Sequence, residues 1–319
     1  MKPKYLCIIA CALLQLLLCA TGNAQLRTMP ATFTQWLTSP GMKHATVTLE
    51  VVRLPQSAPK TAPTVGNPAI GHSQVIYSYD AERLMIPASV MKLVTAATGF
   101  RVLGSDYVWP DSVALIDTAA VALPGLECYN PDWLIEDIDT EYMQPMSNLL
   151  PDSGMVLREV MNNTLAESLN LEAETLLHLL TPSCRLDSGL LAIEDYWAAR
   201  GVDMEGVKMY DGCGLSPSDR VTAHFMNSLL ADMQFDDDFR RAIPIVGREG
   251  TVRRLLRDTR LAGKGRLKSG TIKSAVTYAG YLKGSDGRTY AVSIFVNNHT
   301  CKHTDVRRGI EKVLLSLIP

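Results

Sequence analysis

The amino-acid sequence predicts an α/β chain of the α+β type, with an antiparallel sheet assembled from strands near its two ends and packed by helices. Three observations carry this. Residues 45–51 alternate apolar and polar side chains, two β-type runs near the C-terminus are joined by a hairpin turn, and the chain between has helical periodicity.

In order, residues 31–39 read as a short helix ending near Pro40-Gly41. Ala45, Val47, Leu49 and Val51 alternate with Thr46, Thr48 and Glu50, which is the period of a strand. The Pro- and Gly-containing stretch from Pro55 to Gly71 is loop, and strand character resumes from Ser73 to Tyr79. Pro87 stands just before a helical pattern from Ser89 to Leu103 that Gly104 closes.

Five prolines between Tyr107 and Asp152 break any periodicity, so 105–152 is expected to be a short irregular insertion. Helices are expected over Met155–Leu180, over Leu190–Arg200, and over Ala223–Met233 with Thr222 as N-cap. Thr271–Lys283 and Arg288–Asn297 are the β-type runs, joined by Gly284-Ser285-Asp286-Gly287, and Arg307–Leu317 is an apolar-striped terminal helix.

The N-terminus has a different character. Lys2 and Lys4 precede an apolar run from Tyr5 to Ala20, followed by small residues at Gly22 and Ala24. This is the pattern of a signal peptide, with cleavage expected after Ala24. The apolar run is short for a membrane span, and the bulky Leu18 before Cys19 disfavours lipidation. The expected protein is therefore exported and periplasmic, with residues 25–319 forming one domain and membrane contact at most peripheral.

At 319 residues, with 47% hydrophobic and 20% charged side chains, the chain has ample material for a core, which excludes a disordered chain. A net charge of −2 gives no electrostatic reason to expect nucleic acid as a partner. Seven cysteines fall to four after cleavage, namely Cys128, Cys184, Cys213 and Cys301; scattered as they are, they form no disulfide framework.

The chemistry begins at Pro87-Ala88-Ser89-Val90-Met91-Lys92. A serine hydroxyl is a weak nucleophile until a positioned base removes its proton. Three residues apart at a helix start, Ser89 and Lys92 share one face, and the helix N-terminus favours negative charge there. Alone, a Ser-x-x-Lys pair is a weak signal, more often an N-cap serine with a solvated lysine. Two further elements give it weight: Ser168-Leu169-Asn170 in the helix-rich middle, and Lys268-Ser269-Gly270-Thr271 at the start of a predicted strand. In this order the three match the serine–lysine acyl-transfer set.

The flanking sequence extends the match. Ile76 to Asp80 through Pro87 to Ala97, Tyr210-Asp211-Gly212-Cys213-Gly214-Leu215-Ser216 with Arg220-Val221-Thr222, Val276 to Leu282, and Phe295 to Asn298 together resemble the class C low-molecular-mass penicillin-binding proteins. These are the D-alanyl-D-alanine carboxypeptidase/endopeptidases of peptidase family S13. The resemblance implies a β-lactamase/transpeptidase-like fold and a serine D-Ala-D-Ala carboxypeptidase acting on peptidoglycan stem peptides, with β-lactams as covalent inhibitors and no cofactor or metal.

The resemblance also implies roles. Ser89 would become the acyl-enzyme, and Lys92 would accept its proton, which requires an amine kept neutral by burial or a nearby cation. Lys268 would supply positive charge and help bind the substrate carboxylate. Ser168 would relay a proton to the departing nitrogen, and Asn170 would orient Lys92 or the substrate amide. Ser269, Gly270 and Thr271 would bind substrate, with the backbone N–H groups of Ser89 and Thr271 as oxyanion hole.

The chain departs from that family in four places. Only 75 residues separate Lys92 from Ser168, where the family carries a large insertion, and Trp133 to Tyr142 resembles a remnant of its junction. Leu169 stands where Asp is common, Ser269 where Thr is common, and Cys213 where Ser is common. The alternatives are a catalytically impaired penicillin- or peptidoglycan-binding module, or a β-lactamase. His299, His303 and Asp305 are expected to be a solvated loop, and the acidic stretch at Glu136 to Asp139 a solvated face.

Overall fold

The computed structural model describes residues 26–58, 73–110 and 154–319. The signal-peptide segment, Cys128 and residues 111–152 of the expected insertion lie outside the described residues.

Helix α1 (Ala31–Leu37) leads into β1 (Thr46–Arg53) and β2 (Gln74–Tyr79). A 3-10 turn at Ala88–Met91 runs into α2 (Lys92–Val102). Then come α3 (Leu157–Glu167), α4 (Asn170–Leu179), α5 (Leu186–Ala199), α6 (Ala223–Met233) and the short α7 (Asp237–Ala242). Three strands follow, β3 (Gly265–Ile272), β4 (Ala275–Lys283) and β5 (Thr289–Asn297), and α8 (His303–Leu317) ends the chain.

The five strands form one antiparallel sheet in the order β2-β1-β5-β4-β3. The N-terminal β1 lies in register against the last strand, from Thr46 opposite Asn297 to Arg53 opposite Tyr290. The sheet is thus closed by strands from distant parts of the chain, as the sequence predicts.

Both faces of the sheet are covered. Val47, Leu49, Val51, Val292, Ile294 and Val296 face α1 and α8, whose stripe of Val306, Ile310, Val313, Leu314 and Leu317 is buried against them. The opposite face carries Ala279, Tyr281, Ala291 and Phe295 toward α2 and α6. Thr48 and Glu50 of β1 lie on this covered face. Glu50 is buried there, accepting from Asn227 Nδ2 at 3.0 Å, and Ser293 Oγ donates to Asn227 Oδ1 at 2.8 Å. A hydrogen-bonded polar layer therefore stands where the alternation alone suggests a wet face.

Helix α2 is buried from Lys92 through Phe100. Its small residues allow this: Gly99 lies against Leu176 of α4, and Thr98 spends its hydroxyl on Val94 O while accepting from Trp197 Nε1 at 2.9 Å. A helix buried all round is a rigid mount for the residues at its start.

Four expectations need correction. The helix expected over Met155–Leu180 is two helices, broken at Ser168 by a left-handed turn with φ 63°. The single run expected over Thr271–Lys283 is the end of β3 and all of β4, and β3 begins at Gly265. Its Gly, Arg, Lys and Ser hide it because β-propensity reports side-chain packing on a half-buried surface, which those residues do not advertise. Helix α5 starts four residues earlier than expected, at Leu186, and α8 likewise at His303.

Candidate active site

Ser89 lies in the 3-10 turn, half-buried, between two close backbone approaches. Ala88, the residue before it, has φ 48°, a left-handed conformation that costs a non-glycine residue free energy and is retained where surroundings impose it. The surroundings are specific. Gly214 packs on the Ala88 carbonyl, where a Cβ would collide. On the other side, a Cβ at Gly270 of β3 would collide with Thr277 Oγ1 and sit 2.7 Å from Pro87 O and 2.9 Å from Ser89 N. Thr277 Oγ1 donates to Pro87 O at 2.6 Å, tying the turn to β4. Glycine at both positions is what lets the turn be wedged there.

Lys92 Nζ is 3.2 Å from Ser89 Oγ, so the pair expected from spacing is in contact. The same nitrogen donates to Asn170 Oδ1 at 2.6 Å and to Cys213 O at 2.7 Å. The left-handed Ser168 turns the chain so that α4 begins at Asn170, aimed at Lys92. Ser168 Oγ in turn accepts from Lys268 Nζ at 2.9 Å, and Lys268 Nζ also donates to Ser269 O at 2.7 Å. Ser269 Oγ donates to Thr251 Oγ1 at 2.7 Å. Ser89, Lys92, Ser168, Asn170, Lys268, Ser269 and Gly270 thus form one linked constellation, with the half-buried Thr271 next along β3.

Both lysines are buried, Lys92 at 1% and Lys268 at 0% exposure. Burial lowers the Lys92 pKa from the ordinary amine value, against the pull of Cys213, Asp211, Glu174 and Glu172. Burial, with repulsion from Lys92, holds Lys268 well below its ordinary value, and Glu167 opposes the shift.

Several participants are not evident from motif spacing. Beneath Lys92, Asp211, Cys213 and Glu174 form a buried group. Glu174 Oε1 accepts from Gly212 N at 2.8 Å and Cys213 N at 2.7 Å. Asp211 accepts from Gly214 N at 2.5 Å and Ser216 N at 2.6 Å. Thr251 is unmarked in sequence. Asp211, Cys213 and Thr277 lie in segments that carry the family resemblance, and Glu174 has a spacing signal, since it stands four residues after Asn170 and so shares its helix face.

Glu174, Asp211 and Cys213 place potential metal-ligand atoms within 4.8 Å of one another. Four backbone N–H donors already point at the two carboxylates, which is a lining suited to negative charge rather than to a cation. His299 and His303 are half-buried rather than solvated, their rings in edge contact with centroids 5.0 Å apart, and His303 starts α8. Asp305 pairs instead with Arg308 at 3.1 Å. Cys184, Cys213 and Cys301 are free thiols. Among the described residues, no helix is long and apolar enough to cross a membrane.

Comparison with known proteins identifies the fold and the family. The structure is similar to penicillin binding protein 4 from Haemophilus influenzae, with TM-score 0.66 and 13% identity over 90% of this chain and 99% of that one. It is also similar to a β-lactamase from Sphaerobacter thermophilus, with TM-score 0.55 and 14% identity over 91% of this chain and 96% of that one. These likenesses show the fold. In sequence, a D-alanyl-D-alanine carboxypeptidase from Actinomadura sp. (strain R39) is 30% identical over 122 residues, which is 36% of this chain and 22% of that protein. The D-Ala-D-Ala carboxypeptidase 3 (S13) family matches residues 62–121 and 156–316, a span that takes in Ser89, Lys92, Ser168, Asn170 and Lys268. With the fold, the constellation and the family pattern coinciding over most of its length, the chain belongs to the D-Ala-D-Ala carboxypeptidase 3 (S13) family.

Proposed function

We propose that this protein is a serine D-Ala-D-Ala carboxypeptidase that hydrolyses peptidoglycan stem peptides through an acyl-enzyme on Ser89, and that β-lactams acylate the same serine. The observation that carries the reading is the contact of Ser89 Oγ with a buried lysine whose other two partners are fixed acceptors.

A neutral amine has two N–H groups and one lone pair. With its N–H groups committed to Asn170 Oδ1 and Cys213 O, the lone pair of Lys92 faces Ser89 Oγ. Lys92 takes the hydroxyl proton as Ser89 Oγ attacks the carbonyl carbon of the D-Ala-D-Ala bond. The backbone N–H groups of Ser89 and Thr271 stabilise the oxyanion. The intermediate collapses, the C–N bond breaks, and the departing D-Ala nitrogen takes a proton through Ser168. Water then attacks the ester, and Ser89 recovers its proton.

Lys268 lies behind Ser168 and Ser269, hydrogen-bonded to both residues. In this reading it holds Ser168 in place and lends positive potential to a substrate carboxylate received by the Ser269 and Thr271 hydroxyls. Export to the periplasm, directed by residues 1–24, places the enzyme with its polymer.

The test is mass spectrometry after incubation with a β-lactam, together with D-Ala release from a muropeptide pentapeptide. A Ser89 adduct and D-Ala release, both lost in Ser89→Ala, are expected. An adduct that hydrolyses rapidly would instead indicate a β-lactamase, and an adduct without D-Ala release an impaired penicillin-binding module. Conversion of cross-linked dimers into monomers, without release of free D-Ala, would add endopeptidase action.

A further inference from the structure

Helix α4 sends two side chains, one turn apart, to the underside of the reacting pair. Asn170 reaches Lys92 directly. Glu174 reaches the backbone that supplies the other acceptor: its Oε1 holds Gly212 N and Cys213 N, and the Cys213 carbonyl accepts from Lys92 Nζ at 2.7 Å. Thr95 Oγ1, from α2, donates to Gly212 O at 2.7 Å, and Asp211 secures the same loop through Gly214 N and Ser216 N. The second oxygen of Glu174 is buried without a hydrogen-bond partner among the described residues.

We propose that Glu174 is a positioning residue of the acyl-transfer site: by clamping the Gly212–Cys213 backbone it aims the Cys213 carbonyl at Lys92 and so turns the amine lone pair toward Ser89 Oγ. The inference rests on the acyl-transfer reading above. If the Cys213 carbonyl drifts, one N–H of neutral Lys92 is left to point at Ser89 Oγ, and the lone pair is misdirected.

The ionisation of Glu174 gives the proposal a second handle. Lys92 is faced by Cys213, Asp211, Glu174 and Glu172, and by Lys268 from β3. Glu174 is faced by Asp211 and Cys213 of the loop, by Lys92 of α2, and by Asp219. Burial first, then repulsion from Asp211, pushes Glu174 up to about 7. Once ionised it favours the Lys92 ammonium, so it opposes the neutral base that acylation requires. Its hydrogen bonds help and its charge hinders; glutamine separates the two.

The experiment compares acylation of Ser89 by a β-lactam across pH in the full chain and in Glu174→Ala and Glu174→Gln. Alanine removes the clamp, and acylation is expected to slow about 10–100-fold, the cost of leaving buried backbone donors unpaired and an acceptor misaligned. Glutamine retains an acceptor oxygen for the two N–H groups and carries no charge. It is expected to recover most of that loss and to move the acid limb of the profile to lower pH. A 13C NMR titration of Lys92 Cε reads the same downward shift without turnover.

Equal rates and coincident profiles in all three proteins would overturn the proposal. So would equal slowing in both variants with an unshifted Lys92 titration, which marks a purely structural role. If the wild type forms no Ser89 adduct, the acyl-transfer reading fails. The NMR titration then decides the Glu174–Lys92 link: a downward shift in Glu174→Gln supports it, and coincident titrations overturn it.

Discussion

Lys92 Nζ approaches Ser89 Oγ at 3.2 Å but holds Asn170 Oδ1 more tightly, at 2.6 Å. In the proposed reaction the longer contact is where the proton would move, while the shorter one keeps the amine in place. Lys92→Ala is therefore expected to cut the rate of Ser89 acylation about 10²–10⁴-fold, the usual contribution of a positioned base. Stopped-flow acylation with a chromogenic β-lactam measures it, and a loss below tenfold would deny Lys92 that role.

The pH dependence follows from burial. The proposed base role requires a neutral Lys92, and burial lowers its pKa from the ordinary value. Acylation is expected to rise with pH along an acid limb whose midpoint lies below the ordinary lysine value of about 10.4. A limb at or above that value in the kcat/KM profile would contradict the assignment.

Stability should move the other way near Asp219. Burial first, then repulsion from Asp211, pushes Asp219 up to about 9. An acid whose folded pKa is raised binds more protons when folded, so its contribution is present at low pH and lost as pH rises from about 4 toward 9. Asp219→Asn keeps an acceptor for Tyr210 N, which now donates to Asp219 Oδ1 at 2.8 Å. The variant is expected to gain Tm relative to wild type at pH 8 and to gain little at pH 4. Equal differences at the two pH values would refute the buried-acid account.

Leu169 occupies the N-cap of α4 and makes no side-chain cap. Asp at this position accepts from the first-turn N–H groups, so Leu169→Asp is expected to stabilise the protein by about 0.5–2 kcal/mol. Urea unfolding with an unchanged m-value checks it. A destabilised variant would mean that the half-buried Leu169 side chain contributes more by packing than a cap supplies.

Gly270→Ala is expected to abolish β-lactam labelling while leaving the chain folded. The added Cβ would meet Thr277 Oγ1, Pro87 O and Ser89 N, so β3 or the nucleophile turn must shift. Circular dichroism reports the fold and labelling reports the site; full labelling would show that the turn can yield.

Much of this arrangement is legible in local patterns. The alternation around Leu49 and the hairpin at Gly284 to Gly287 mark strands, and the stripe from Val306 to Leu317 marks the last helix. The Ser89–Lys92 spacing puts both residues on one face wherever the turn continues as helix. β3 is illegible because Lys268, Ser269 and Gly270, which carry its hydrogen bonds to Ser168 and Thr251 and its close approach to Ser89, read as non-strand. The break at Ser168 is hidden for a related reason. Ala166, Glu167, Leu169 and Leu171 around it all suit a helix, so nothing local marks Ser168 as left-handed.

By itself, then, the sequence determined the candidate serine–lysine set and most of the strands and helices, because those patterns are set by neighbours two to four positions away. Tertiary structure alone decided what surrounds them. It placed Cys213 O and Asn170 Oδ1 on Lys92, Lys268 behind Ser168, and Glu174 beneath the loop. It also buried both lysines, and burial is what lowers their pKa values. Desolvation depends on every element that closes over a group, so no spacing along the chain encodes it.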